Sequence, residues 1–181
     1  MSQFAIDNQW TLFLDRDGVI NHEQHLGYVN AWEEFAFYAG VEEAISIFAA
    51  HFKYIIVITN QRGVGKGITS FENLGLIHRN MKGAISKSGG RIDAIYFCPD
   101  IDNSSPNRKP QTGMAMQAKY DFKDIDFAKS IMVGNTFSDM EFGRNIGAKT
   151  VFIPSTIKDA DPADKRIDTV FNSLYDFAQS L

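Results

Sequence analysis

The stretch Trp10-Thr11-Leu12-Phe13-Leu14-Asp15-Arg16-Asp17-Gly18-Val19 decides the fold. Its first half is aromatic, β-branched and apolar, and Gly18 follows as a breaker, so residues 10–14 read as a short buried strand. Two carboxylates then stand two residues apart where strand passes into loop. Such a like-charge pair is costly, and a bound divalent cation is the usual way to make it tolerable. Taken alone, Asp15 and Asp17 read better as solvated turn residues; the segments further along the chain overturn that reading.

Outward from this strand the pattern alternates. A polar loop (residues 21–31) leads to Gly40, after which Val41, Ala44, Ile45, Phe48 and Ala49 recur at helical spacing. Tyr54 to Ile58 is a continuous apolar run, as expected of a strand covered on both faces in a parallel sheet. A glycine-rich loop, 60–67, follows. Thr69 and Glu72 then form a capping-box pattern that opens a helix with Phe71, Leu74, Ile77, Met81 and Ile85 on one side, ended by Gly89-Gly90. Ile92 to Phe97, Ser130 to Val133 and Lys149 to Ile153 read as three further strands. Helices are expected near 112–121 and from about Thr136 to Gly147. Val170-Phe171 and the tail to Leu181 add an edge segment and a last helix. Repeated βα units predict a Rossmann-like, three-layer α/β/α fold with a mainly parallel sheet. No repeat or linker interrupts residues 1–181, which are read as a single domain.

Composition narrows the class. Hydrophobic residues make up 44%, the level of an ordinary globular protein, and 15 Phe point to an aromatic core. The 18 basic and 22 acidic residues give a net charge of −4 with no basic run, which argues against nucleic acid as a partner. One cysteine, Cys98, excludes an internal disulfide framework and suits a reducing compartment. The first ten residues lack the features of a signal peptide, and no apolar run is long enough to span a bilayer. A cytoplasmic monomer with no membrane partner is the expectation.

In α/β sheets the ligand lies beyond the carboxyl ends of the strands. That rim gathers Asp15 and Asp17 after the first strand, Thr59-Asn60 after the second, Arg108-Lys109-Pro110 after the third, and Gly134-Asn135 with Ser138-Asp139 after the fourth. A nucleophile, a second carboxyl, a hydroxyl-plus-amide pair, a cation and a metal-facing group are the parts phosphoryl transfer needs.

With these residues in place, the chain resembles the haloacid dehalogenase-type phosphatases. The motifs are DRDGVIN from Asp15, GYV at 27–29, TNQRGVGKG from Thr59, RKP from Arg108 and VGNTFSDM from Val133. The match is to the subgroup holding the D-glycero-D-manno-heptose 1,7-bisphosphate 7-phosphatases and the histidinol-phosphate phosphatases, which have no large cap domain. The resemblance implies Asp15 as the nucleophile forming an aspartyl-phosphate, and Asp17 as general acid and then base. It implies Thr59, the Asn60 amide and Lys109 as phosphoryl-holding groups, with Arg16, Gln61, Arg62 and Arg108 among the substrate contacts. It further implies Mg²⁺, held by the Asp15 carboxylate, the Asp17 carbonyl and the Asn135–Asp139 segment. The substrate would be a small sugar phosphate, the heptose bisphosphate first and histidinol phosphate next.

Two departures from the family matter. Asn135 stands where the family usually has Asp, which predicts weaker metal binding; Asp139, one turn on, is the candidate to compensate, and Asn135 is also read as a helix cap. The zinc-binding CxH…CxC of many relatives is reduced within 98–110 to Cys98-Pro99-Asp100 and Ser105-Pro106-Asn107, so no structural zinc is expected.

Other residues invite weaker readings. Gly63, Gly65, Lys66 and Gly67 lack the Walker A order, because Gly67 and not Ser or Thr follows Lys66. Arg62 and Lys66 are candidate anchors for a second phosphate, and His22 or His25 for substrate contact. His51, His78 and Cys98 are read as structural. A non-catalytic sugar-phosphate binder and a phospho-acceptor signalling domain are the rivals; the latter needs an acceptor Asp where the second strand delivers Thr59-Asn60.

Overall fold

The computed structural model describes residues 4–24 and 27–181. Six strands form one sheet: β1 (Thr11–Leu14), β2 (Tyr54–Asn60), β3 (Ala94–Cys98), β4 (Ser130–Gly134), β5 (Lys149–Phe152) and β6 (Thr169–Val170). The helices are α1 (Val41–His51), α2 (Arg62–Gly65), α3 (Phe71–Lys87), α4 (Gly113–Asp121), α5 (Phe137–Ile146) and α6 (Leu174–Gln179). The strand order is β3-β2-β1-β4-β5-β6, and every pairing is parallel. From β1 the chain therefore winds outward in both directions. The crevice at the carboxyl ends of β1 and β4 is the topological switch point where such folds bind ligands.

The two-residue period of the strands sorts the core into two layers. Leu12, Leu14, Ile55, Val57, Ile131 and Val133 pack with α1, α3 and α6 on one face. Phe13, Ile56, Ile58 and Met132 pack with α4 and α5 on the other. Because both faces are covered, the strands are apolar without alternation, which is why the 54–58 run was legible as a central strand.

Three local details differ from the sequence reading. The cap of α3 is Ser70, whose hydroxyl accepts from the Asn73 amide at 3.0 Å; Thr69 is occupied with Asn30, donating to its Oδ1 at 2.6 Å. Phe71, assigned to the buried side of that helix, is 64% exposed, because as the first residue of the helix it precedes the buried stripe of Leu74, Ile77, Met81 and Ile85. The glycine-rich stretch contains the single turn α2 instead of being loop throughout. Among the described residues no helix is long and apolar enough to cross a membrane.

Candidate active site

The DRDGVIN loop is built around one carbonyl. Arg16 O accepts from the amides of Val19 at 3.3 Å, Ile20 at 2.8 Å and Asn21 at 3.1 Å, which folds the chain back just past β1. Gly18 has φ +84°, and a Cβ there would lie 1.9 Å from Asn135 Nδ2. Glycine is thus required twice, for the left-handed backbone and for the approach of the Asn135 side chain. Asp15 is tied to the neighbouring strand through its amide, which donates to Val133 O at 2.9 Å, and its Oδ1 accepts from the Arg16 amide at 2.8 Å.

Lys109 is the hub of the crevice. Its buried Nζ donates to Ile58 O at 2.8 Å and lies 2.9 Å from Asp15 Oδ1 and 2.6 Å from Asp139 Oδ1. Asn60 fixes the Lys109 backbone from the end of β2: its Oδ1 accepts from Lys109 N at 3.0 Å and its Nδ2 donates to Lys109 O at 3.3 Å. The Asn60 side chain therefore positions the cation. Burial works against the charge of Lys109, but Asp139 and Asp15 outweigh it and raise its pKa. For Asp15 the balance runs the other way. Burial, then Asp139, pushes its carboxyl up to about 7 against the pull of Lys109. Two buried carboxylates share one ammonium, and the crevice is short of positive charge.

Asp139 is the third residue of α5 and turns back on its start. Its Oδ2 accepts from Thr136 N at 3.0 Å, Thr136 Oγ1 at 2.7 Å and Asn135 N at 3.2 Å. Thr136 is the cap residue, so the reading of Asn135 as the helix cap is not what the structure shows. Asn135 instead donates from Nδ2 to Thr156 Oγ1, and its Oδ1 is buried with no hydrogen-bond partner. An unpaired buried carbonyl oxygen is costly unless a donor or cation meets it. Among the described residues no three His, Cys, Asp or Glu side chains converge on one point. A hard cation here would draw on the Asp15 carboxylate, a main-chain carbonyl and the Asn135 amide oxygen, an all-oxygen set that suits Mg²⁺. Asp139 supports that set as the counter-ion of Lys109.

Asp17 points elsewhere. Its Oδ1 accepts from Arg16 Nη2 at 2.8 Å, Arg16 Nε at 3.2 Å and Asn21 Nδ2 at 2.9 Å; its Oδ2 accepts from Arg16 Nη2 at 2.9 Å and Gln61 Nε2 at 2.8 Å. Gln61 Nε2 also donates to Thr59 Oγ1 at 2.9 Å, linking the acid to the end of β2. Burial disfavours the Asp17 anion, but Arg16 and these hydrogen bonds hold its carboxyl below the usual range. Arg16, expected among the substrate contacts, is fully buried and serves Asp17.

The rim carries the remaining candidates. Arg62 Nη2 donates to Ile101 O at 3.0 Å and to Asn103 Oδ1, and Arg108 Nε donates to the same Oδ1 at 3.3 Å. Lys66 lies 5.6 Å from the centre of the Tyr28 ring. His22 packs on Tyr38 with ring centres 3.9 Å apart, and His51 Nδ1 lies 3.0 Å from Ile47 O. His25 lies outside the described residues. Asn21 and Thr156 reach the site or its support without having been assigned a role from sequence, and only Asn21 carried a signal, as the last letter of DRDGVIN; His78, read as structural, supports the site by facing Arg16 Nη1 at 3.2 Å.

A family model described as HAD-hydrolase-like matches residues 106–177. A D-glycero-alpha-D-manno-heptose-1,7-bisphosphate 7-phosphatase of Mycobacterium bovis is 34% identical over 172 residues, 94% of this chain and 90% of that one. The Burkholderia mallei enzyme of the same name is 38% identical over 150 residues, 78% of each chain. The D,D-heptose 1,7-bisphosphate phosphatase of B. bronchiseptica, solved with magnesium and phosphate, superposes with a TM-score of 0.82 at 26% identity, covering 94% of this chain and 96% of its own. The chain belongs to the haloacid dehalogenase-like hydrolases, as a member of the family of phosphoric monoester hydrolases that contains these heptose bisphosphate phosphatases.

Proposed function

We propose that this chain is a Mg²⁺-dependent D-glycero-D-manno-heptose 1,7-bisphosphate 7-phosphatase that works through an aspartyl-phosphate. The observation that carries the reading is the charge balance of the crevice: the buried carboxylates of Asp15 and Asp139 share the one ammonium of Lys109, and burial, then Asp139, pushes Asp15 up to about 7. Such a pocket gains from a dication, and Asn135 Oδ1 offers a further oxygen for one. The Asp15 carboxylate, a main-chain carbonyl and Asn135 Oδ1 would hold the ion, which would supply shielding between the phosphate and Asp15 and Lewis-acid stabilisation of the developing charge.

The chain's own residues supply the steps. An Asp15 carboxylate oxygen bonds to phosphorus as the phosphorus–sugar oxygen bond breaks, and Asp17 gives its proton to the departing oxygen. For that first step the Asp17 carboxyl must carry a proton on Oδ2, which gives up the bonds that oxygen accepts while Oδ1 stays held by Arg16. As the anion, Asp17 then takes a proton from the water that attacks phosphorus, releasing phosphate and restoring Asp15. Lys109 and the Thr59 hydroxyl stabilise the phosphoryl oxygens; losing one such donor costs about 3 kcal/mol of barrier. Arg62 and Arg108, both bonded to Asn103, bring two guanidiniums to the rim, which suits a substrate with a second phosphate.

Phosphate release from the heptose bisphosphate, histidinol phosphate and fructose bisphosphate, with and without Mg²⁺, tests the reading. The heptose bisphosphate should be the preferred substrate and chelator should abolish turnover. Asp15→Asn should abolish it as well and leave no acid-stable phosphoenzyme; appreciable activity in that variant would rule out the covalent route.

A further inference from the structure

Arg16 is among the largest fully buried side chains of the protein, and a buried guanidinium is stable only when its donors are met. Nε and Nη2 are met by Asp17, as described above. Nη1 is met from below the sheet ends by a residue of α3, His78, whose Nε2 lies 3.2 Å away. An arginine can only donate, so His78 Nε2 must be the acceptor and the ring must be neutral with its proton on Nδ1. Burial, then the Arg16 charge, agree with this by pushing the His78 pKa down to about 3. The ring is held in turn by Phe97 of β3, at 5.9 Å between centres in an edge-on arrangement. His78 is buried, and it is a polar interruption in the apolar stripe of α3 between Ile77 and Met81.

We propose that Arg16 is the positioning residue for the Asp17 carboxyl, and that His78 acts on the reaction through Arg16. The inference rests on the assignment of Asp17 as proton donor and acceptor. A planar fork with one edge on a carboxylate and its remaining nitrogen on a fixed acceptor has little freedom to rotate. Asn21 and Gln61 limit the carboxylate from its other sides, but among the described residues only Arg16 reaches both its oxygens. Without the acceptor at Nε2, the guanidinium would tip toward other acceptors and carry the carboxylate with it. Catalytic groups lose most of their effect when displaced by an ångström, so a residue on α3 that never meets substrate should govern proton transfer.

The test exploits leaving groups. An alkoxide leaves only if protonated, whereas p-nitrophenolate leaves without a proton, so misplacing Asp17 harms phosphorylation by one substrate and spares it for the other. His78→Leu keeps bulk and removes the acceptor; His78→Gln keeps an acceptor. For His78→Leu, single-turnover phosphorylation by the heptose bisphosphate should fall by about 10-fold or more, within the range general acid catalysis supplies. KM should be nearly unchanged, and phosphorylation by p-nitrophenyl phosphate should hold within about twofold and show a burst of p-nitrophenol, because the water step still needs Asp17. His78→Gln should recover most of the loss. Arg16→Lys, which retains the charge and loses the fork, should show the same split and serves as the second variant if His78→Leu does not fold. Equal losses on both substrates, or no difference between Leu and Gln at position 78, would overturn the inference. Asp17→Asn separates this outcome from failure of the underlying assignment: if Asp17→Asn still cleaves the alkyl phosphate, the role of Asp17 is wrong. If Asp17→Asn fails on it while His78→Leu and Arg16→Lys behave as wild type, only the present inference falls.

Discussion

Replacing Asn135 by Asp restores the charge usual at this position in the family, and the structure gives the substitution two opposite effects. In the metal-free protein the new carboxylate is buried beside a pocket where Asp15 already resists ionisation. It also forfeits the bond from Nδ2 to Thr156, whose single hydroxyl proton is committed to Glu23 Oε1 at 2.6 Å. An unpaired buried acceptor of this kind costs about 1–3 kcal/mol. For a domain of this size that is a fall in Tm of roughly 2–12 °C in chelator. With Mg²⁺ the sign reverses. One unit pair about 4 Å apart is worth roughly 4 kcal/mol gross at an effective dielectric near 20, and a dication doubles it. Desolvation removes much of this, leaving about 1–3 kcal/mol, or about 10- to 100-fold in the Mg²⁺ Kd. Thermal unfolding in chelator and across a Mg²⁺ titration, with calorimetric Kd values, reads both effects. A variant less stable without metal but no tighter for it would show that Asn135 packs against Gly18 and does not ligate. Unchanged behaviour in both states would refute the account of the pocket's charge altogether.

Asp15→Asn should flatten the pH dependence of metal-free stability. The folded-state pKa of about 7 lies above the unfolded value, so the folded protein binds the extra proton between about pH 4 and 7 and loses stability as pH rises through that window. Difference unfolding curves of variant and wild type in chelator should show that slope, amounting to a few kcal/mol, only in the wild type. His78 works in the opposite sense. Its folded pKa of about 3 lies below the unfolded value, so its contribution is intact above about pH 6.5 and is lost as pH falls toward 3, and His78→Gln should remove that acid sensitivity in a denaturant-midpoint series. Gly18→Ala should lower Tm by several degrees and weaken Mg²⁺ binding together, because the left-handed residue costs about 1–2 kcal/mol and the methyl displaces Asn135; a change in Tm alone would exclude the coupling.

The sheet was legible because its strands are covered on both faces and so read as unbroken apolar runs. The same property hid where β2 ends: Thr59 and Asn60 look like the start of a loop, yet both are still paired with β3. The positions of Asp15, Lys109 and Asp139 at the strand ends followed from the alternation of strands and helices. Their division of labour did not, because which carboxylate faces an ammonium is set by side-chain packing. Asp139 was read as a compensating metal group and is the counter-ion of Lys109 and the cap partner of Thr136. Arg16 sits between two exposed-looking acids in sequence, and nothing local to DRDGVIN shows that a histidine 62 residues away will face it. A long-range polar contact of that kind has no periodicity to betray it.

The loop 98–107 poses the question of what holds Arg108 and Lys109 in place when the residues at the four zinc-ligand positions of related enzymes are Cys98, Asp100, Ser105 and Asn107. They meet through hydrogen bonds. Ser105 Oγ donates to Asp100 Oδ2, lies 3.9 Å from Cys98 Sγ and accepts from the Asn107 amide at 3.4 Å. Arg62 then ties the loop to α2 through Ile101 and Asn103, and Arg108 Nη1 reaches Asp100 O at 3.3 Å. Each bond is worth only about 1 kcal/mol net, far less than a structural metal contributes. The loop is therefore braced by many weak contacts, while Lys109 is fixed independently by Asn60 and by the two carboxylates. Holding the Lys109 ammonium from β2 and α5, and leaving only the rim guanidiniums to the loop, lets this part of the molecule vary without disturbing the crevice.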